Sequence, residues 1–169
     1  MDALQEWGNG LTRYSVVIMR GVPGSGKSYI VDRIQTIAEN LNFHTTICSA
    51  DDYFTDERGN YLFRRRELDQ AHRACMETFA QALEVVHDDV IIIDNTNIER
   101  RHYHDYWTMA DECGYTVHVI EIQAVGNQLQ QCFDRCVHRV PYDAILGMYQ
   151  NLNASRNRQE GAVIIPMQL

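Results

Sequence analysis

Apolar residues along this chain follow two rhythms. Four short segments, at 15–20, 45–49, 90–93 and 116–122, read as strands; 15–20 is mostly apolar and Val90-Ile91-Ile92-Ile93 wholly so. Runs of this length without polar alternation read as strands buried on both faces. Between them the spacing becomes helical, as with Ile30, Ile34, Ile37, Ala38 and Leu41 in 28–41. Further helices are predicted over 65–86 (Leu68, Ala71, His72, Cys75, Phe79, Ala82 and Leu83 on one side), 99–113, 128–139 and 141 to about 153. Gly114 supplies the stop after the 99–113 helix. Strands alternating with helices predict an α/β fold, a four-to-five-stranded parallel sheet with helices on both faces and a helical lid, whose ligands sit at the carboxyl ends of the strands. The expected division is an N-terminal extension (1–13), one domain (14–153) and an irregular C-terminal tail (154–169) carrying the apolar piece Ala162-Val163-Ile164-Ile165-Pro166.

Three polar clusters fall at strand ends. The first is Gly21-Val22-Pro23-Gly24-Ser25-Gly26-Lys27-Ser28, set between a strand and a helix, and Lys27 is the only lysine in the sequence. This is the G-x-x-x-x-G-K-[ST] pattern, a P-loop. Its backbone N–H groups surround nucleotide phosphates, its lysine reaches the β/γ oxygens and its serine hydroxyl ligates Mg²⁺. The expected ATP-binding set is Gly21, Pro23, Gly24, Ser25, Gly26, Lys27, Ser28 and Tyr29, with ATP and Mg²⁺ as cofactors. The second cluster, Asp51-Asp52, follows the second strand. Asp51 is the candidate general base, placed to take the proton of an acceptor hydroxyl. Ser49-x-x-Asp52 also matches a capping box, which assigns Asp52 to the cap or to the outer shell of the metal. The third cluster is Asp94-Asn95-Thr96-Asn97, where Asp94 is the expected second metal group beside Ser28. No acidic residue follows Asp94, which favours transfer to an acceptor over hydrolysis for work. A guanine-reading Asn-Lys-x-Asp is absent, because the one lysine is in the loop.

Arg135 and Arg139 lie one turn apart on the expected 128–139 helix. Spacing alone leaves two readings: a solvated face beside Gln131 and Asp134, or a pair of cations over a phosphate chain. Arg64-Arg65-Arg66 and Arg100-Arg101 are basic knots, each next to a glutamate, that either touch an anionic acceptor or compensate helix ends. His102 and His104 point apart on a helix, and Cys132, Cys136 and His138 lack a partner pair, so zinc is not expected.

The net charge of −8 weighs against extended binding to a duplex, whose affinity comes from phosphate contacts. It leaves room for gripping one strand end with a few arginines. No apolar stretch approaches a membrane span, residues 1–13 do not read as a signal peptide, and five scattered cysteines read as reduced thiols. The expectation is a cytoplasmic protein without membrane partners; the sequence says nothing of oligomeric state.

Taken together, the P-loop, Asp51-Asp52-Tyr53, Ile91 to Asn97, Arg135-x-x-x-Arg139 and Val140-Pro141-Tyr142-Asp143-Ala144-Ile145 resemble the polynucleotide-kinase-like group of P-loop kinases over about 16–152. The region from Asp51 through Ala71-His72, with Asp-Asn-Thr-Asn, is similar to ATP-binding domains of the Nedd-binding protein group. The resemblance implies an ATP-dependent 5′-hydroxyl kinase. It implies Asp51, Lys27 and Arg135 as catalytic groups, Arg135 and Arg139 at the nucleotide, and Asp51, Asp52, Asn95, Thr96 and Asn97 toward the acceptor. Asn95 stands where phage members have an aspartate. Phe54 stands where they have an arginine that grips the acceptor's phosphate. A nucleic-acid 5′ end and a small hydroxylated metabolite both remain open as acceptor, and so does an ATP-binding interaction module with little turnover.

Overall fold

A computed structural model describes residues 3–156 and 161–167. In chain order the elements are α1 (Ala3–Gly8), β1 (Ser15–Arg20), α2 (Lys27–Asn40), β2 (Thr45–Cys48), α3 (Leu68–Gln81), β3 (Val90–Ile93), α4 (His104–Glu112), β4 (Thr116–Gln123), α5 (Gln128–Arg135), α6 (Tyr142–Arg156) and β5 (Val163–Pro166). The strands form one sheet in the order β2-β3-β1-β4-β5. Every neighbouring pair is parallel.

The unbroken apolar runs are explained by the two faces. Val17, Met19, Val90, Ile92, Ile120 and Ile122 pack on one side with Ile30, Val31 and Ile34 of α2. Their neighbours Val16, Ile18, Ile91, Ile93 and Val119 pack on the other with Ala71, Cys75 and Phe79 of α3 and Tyr106 and Ala110 of α4. Successive side chains point to opposite faces, so a strand covered on both needs apolar residues at every position.

β1 and β3 lie side by side in the middle of the sheet, with Ile18 beside Ile93 at their carboxyl ends. Those ends carry the P-loop and Asp94. The end of β2, Cys48, lies beside Ile93 on the other side, which adds Asp51 to the same edge.

Inside this frame two charges are wholly buried. Arg20 Nη1 donates to Glu121 Oε2 at 2.8 Å, and both side chains have no exposure. Arg20 Nε donates to Asn97 O at 2.9 Å, and Nη2 donates to Ile98 O at 2.6 Å and to Ser155 Oγ at 2.9 Å. One guanidinium thereby joins β1, β4, the segment after β3 and α6. Its fork of donors suits several acceptors at once.

The structure departs from the sequence expectation in several places. Residues 163–166 are a strand, not irregular tail: they pair with β4 from Ile120 to Gln123. A four-residue apolar run has no periodicity of its own, and the open edge of β4 decides its form. Residues 3–8 are helical, and Leu4 is buried in the same core as β1. Trp7 Nε1 donates to His118 Nδ1 at 3.3 Å, pinning α1 to β4. The predicted 65–86 helix divides into a 3₁₀ turn, α3 and a π turn over 82–86 that ends in His87 at φ 57. The predicted 128–139 helix stops at Arg135. Among the described residues no helix is long and apolar enough to cross a membrane.

Candidate active site

The P-loop follows β1 directly, and Gly21 N–H donates to Thr96 O at 3.0 Å, tying the loop to the segment after β3. Gly26 precedes α2 in the left-handed region at φ 94, a conformation that glycine adopts without strain. Gly24, at φ 75, sits under α5: a Cβ there would lie 1.9 Å from Cys132 O. Close approach of two backbones is the physical reason for glycine at this position. Lys27 Nζ donates to Gly21 O at 3.0 Å and Val22 O at 3.1 Å, so the ammonium lies folded over its own loop. Burial lowers its pKa, opposed first by the charge of Asp94 and then by that of Asp51. The clamp and the candidate base both lie at the carboxyl end of the sheet. Asp94 shows the converse: burial raises its pKa and Lys27 pulls it down. Ser28 is exposed in the first turn of α2.

Beside the loop is a cavity of about 480 Å³ lined by Ser25, Gly26, Tyr29, Ile30, Ile122, Arg135 and Pro166. Tyr29 and Arg135, both in the expected ATP-binding set, line this cavity. Pro166, from the strand that was expected to be irregular tail, closes the wall. Ser25 Oγ is buried with no hydrogen-bond partner among the described residues, a polar atom left for a ligand to satisfy. Pro23 is half-buried in the same loop.

Asp51 lies in a 3₁₀ turn, Ala50–Phe54, at the end of β2. Ser49 caps this turn, its Oγ accepting from Asp51 N–H at 3.2 Å. Burial and the charge of Asp51 raise the pKa of Asp52, while a hydrogen bond from the Ser49 backbone lowers it. Ser49 thus caps the turn through Asp51 N–H, not through Asp52 N–H as the Ser49-x-x-Asp52 spacing signals. The Asp51 carboxylate faces outward, its side chain 51% exposed. Tyr61 Oη donates to Asp51 Oδ1 at 2.8 Å. His138 Nε2 is 3.5 Å from Asp51 Oδ2, and its ring rests on Tyr61 with centroids 4.0 Å apart.

The Asp-Asn-Thr-Asn segment turns largely inward. Asn95 Oδ1 accepts from Ala50 N–H at 2.9 Å, and its Nδ2 donates to Cys75 Sγ at 3.4 Å. Asn97 is buried at φ 44, and its Nδ2 donates to Met19 O at 2.9 Å. Thr96 offers its carbonyl to the P-loop. The amides of Asn95 and Asn97 hold the β2 tip and β1, because backbone groups at strand ends need partners. Arg139 lies beyond the end of α5 at φ 51 and exposed, so it does not share a helix face with Arg135.

Sequence reasoning passed over Tyr61 and weighed His138 only as a zinc ligand. No local pattern marks either residue. Tyr61 reaches Asp51 because an antiparallel bridge, Thr55 to Tyr61, folds the hairpin back on the 3₁₀ turn. His138 arrives from the stretch after α5.

Comparison with known proteins extends this description. A stretch of 143 residues is 29% identical to YLP motif-containing protein 1 of Homo sapiens, covering 73% of this chain and 6% of that protein. NEDD4-binding protein 2 of Homo sapiens is 35% identical over 102 residues, covering 60% of this chain and 5% of the relative. The chain therefore spans only a small part of these proteins' length. Among solved structures, the Pnkp1/Rnl/Hen1 RNA repair complex contains a chain that superposes with a TM-score of 0.66 at 20% identity, covering 93% of this chain and 49% of that one. A gluconokinase from Sinorhizobium meliloti superposes with a TM-score of 0.56 at 14% identity, covering 93% and 85%. At such identities these structures establish a shared P-loop kinase-like fold. The AAA domain family matches residues 16–146, from the first strand into α6, and the chain belongs to that family.

Proposed function

We propose that the protein is an ATP-dependent phosphotransferase that moves the γ-phosphoryl group to the 5′-hydroxyl of a polynucleotide. The observation that carries the reading is the strand order: the P-loop with Lys27, Asp94 and the turn bearing Asp51 follow the adjacent strands β1, β3 and β2 at the carboxyl end of the sheet. The orphaned Ser25 hydroxyl, the glycine turns and the adjoining cavity suit a nucleoside triphosphate. The P-loop amides and Lys27 would hold its phosphates, Tyr29 and Arg135 would line the nucleoside side, and Ser28 with Asp94 would hold Mg²⁺. A bound Mg²⁺ supplies charge neutralisation on the phosphate oxygens.

Asp51 carries out the proton transfer. Its carboxylate takes the proton of the acceptor hydroxyl as the new P–O bond forms and the bond to the departing ADP breaks. Tyr61 holds Oδ1 in place by its 2.8 Å hydrogen bond. The fold shared with a chain of an RNA repair complex supports a polynucleotide acceptor.

A second reading, a small-metabolite kinase, is favoured by Phe54. It is buried at the position from which phage members grip phosphate, and the chain is acidic overall. Incubation with γ-labelled ATP and a 5′-OH oligonucleotide tests the first reading. Label should enter the 5′ end, and Asp51→Ala should abolish transfer while leaving the ATP-induced rise in Tm intact. Failure to label any oligonucleotide at saturating ATP, with a metabolite pool gaining one phosphate instead, would overturn it in favour of the second.

A further inference from the structure

The aromatic residues beside Asp51 form a cluster in which several faces remain open to solvent. Phe54 is the buried floor. Its ring meets Phe63 at 5.0 Å, Tyr53 at 5.2 Å and Tyr61 at 6.0 Å, all edge-on. Tyr61 and Phe63 lie nearly parallel, 11° apart with centroids at 6.3 Å. Above this floor Phe63 is 50% exposed, Leu62 55% and Tyr53 41%. A contiguous exposed apolar patch of this kind marks a binding surface more often than a packing defect.

The surface is preorganised. The Thr55–Tyr61 bridge and a 2.7 Å bond from Leu62 N–H to Phe54 O fix the hairpin. The Asp56 carboxylate accepts from Arg58 N–H, Asn60 N–H and the Asn60 amide at 2.8–2.9 Å, which locks the turn. Rings already held in place lose little entropy when a ligand stacks on them. The hydroxyl of Tyr61 is on Asp51, so the ring surface begins one hydrogen bond from the candidate base.

His138 shows what fits there. Its imidazole, a flat nitrogen heterocycle, packs on Tyr61 with centroids 4.0 Å apart and planes tilted by 42°, while its Nε2 lies 3.5 Å from Asp51 Oδ2. A nucleoside presents the same two parts, a flat base and a hydroxyl. Aromatic side chains bind any base by its face, which replaces the phosphate grip that Phe54 cannot supply. Directly after Phe63 come Arg64, Arg65 and Arg66, all exposed, with Arg64 and Arg66 leaning on Glu67 at 3.3 and 3.6 Å. They add positive charge next to Phe63 in the chain. A sugar acid has no ring to use such a surface.

We propose that Tyr61, backed by Phe54 and Phe63, stacks the base of the acceptor's terminal nucleoside, and that His138 covers this surface until the acceptor displaces it. The inference rests on the polynucleotide reading above and names how the acceptor end is recognised. It is tested with two 5′-OH oligonucleotides, identical except that one lacks the 5′-terminal base, on the full chain and on Tyr61→Leu, Tyr61→Phe and His138→Ala. KM for each oligonucleotide, KM for ATP and the Tm are read for every variant.

The wild type should prefer the base-bearing end by roughly 5- to 150-fold in acceptor KM. Tyr61→Leu should erase the preference with KM for ATP unchanged. Tyr61→Phe, which keeps the ring and loses the hydroxyl, should retain it. His138→Ala should lower the acceptor KM, since it removes a competitor for the site. Equal use of both ends by the wild type overturns the stacking surface and leaves the polynucleotide reading standing. A raised acceptor KM in His138→Ala overturns the covering role. Absence of transfer to either oligonucleotide overturns the polynucleotide reading itself, and this inference with it.

Discussion

Replacing Gly24 with alanine would place a methyl group 1.9 Å from Cys132 O, 2.7 Å from its carbonyl carbon and 3.0 Å from its Cα. All three are backbone atoms, so no rotamer change relieves the clash. Either α5 or the P-loop must retreat by roughly 1.6 Å to reach the ~3.5 Å of ordinary contact. Gly26 provides the control: it too has a left-handed φ, at 94, but its added Cβ would meet nothing within 4 Å. Left-handed backbone costs an ordinary residue about 1–2 kcal/mol, and that cost applies to both substitutions. Overpacking adds about 1–3 kcal/mol, and that applies to Gly24→Ala alone. At about 2–4 °C per kcal/mol for a chain of this size, Gly26→Ala should lower Tm by ~2–8 °C and Gly24→Ala by ~4–20 °C. Thermal unfolding followed by circular dichroism, without nucleotide, reads both. The ATP-induced rise in Tm should also shrink in Gly24→Ala, because the displaced helix carries Arg135 away from the cavity it lines. Equal Tm losses in the two variants would refute the reasoning, since they would mean that α5 does not rest on the loop.

Lys27→Met should weaken ATP binding by roughly 10- to 150-fold, the worth of a charge-assisted hydrogen bond, as measured by titration calorimetry. Arg20→Met should destabilise the fold by about 3–5 kcal/mol in urea unfolding, because it removes the guanidinium that pairs with the buried Glu121 carboxylate. The double variant with Glu121→Leu should recover much of that loss; no recovery would count against the pair as the cause. His118 gives a pH dependence. Burial lowers its pKa from 6.5, so the unfolded chain holds more protons below that value and stability falls as pH drops from 6.5 toward the folded pKa. His118→Gln should show a shallower loss of Tm between about pH 6.5 and 5 than the wild type.

The P-loop was legible from residue types alone, because its chemistry is local: amides, lysine and serine within one turn. The strand order could not be read that way, although the strands themselves could. Nothing in Val90-Ile91-Ile92-Ile93 states that it lies between β2 and β1, and that neighbour relation puts Asp94 beside Lys27. A cap at Ser49 was visible as spacing, but the structure closes it on Asp51 N–H, one residue before the partner that the spacing signals. Arg135 and Arg139 show the same limit of spacing. Their spacing fits one helical turn, yet α5 ends between them and Arg139 takes a left-handed conformation.

By itself the sequence determined what continuous apolar runs and a single motif can determine: a parallel sheet covered on both faces and a phosphate-binding loop. Those follow from the pleat and from the geometry of one turn, neither of which needs a distant partner. Tertiary structure alone decided that 163–166 extend the sheet, that Asn95 and Asn97 support backbone, and that Tyr61 and His138 converge on Asp51. Each depends on groups brought together from far apart in the chain: an unpaired strand edge, an unsatisfied backbone group, a carboxylate within reach. A one-dimensional pattern carries no record of such pairs.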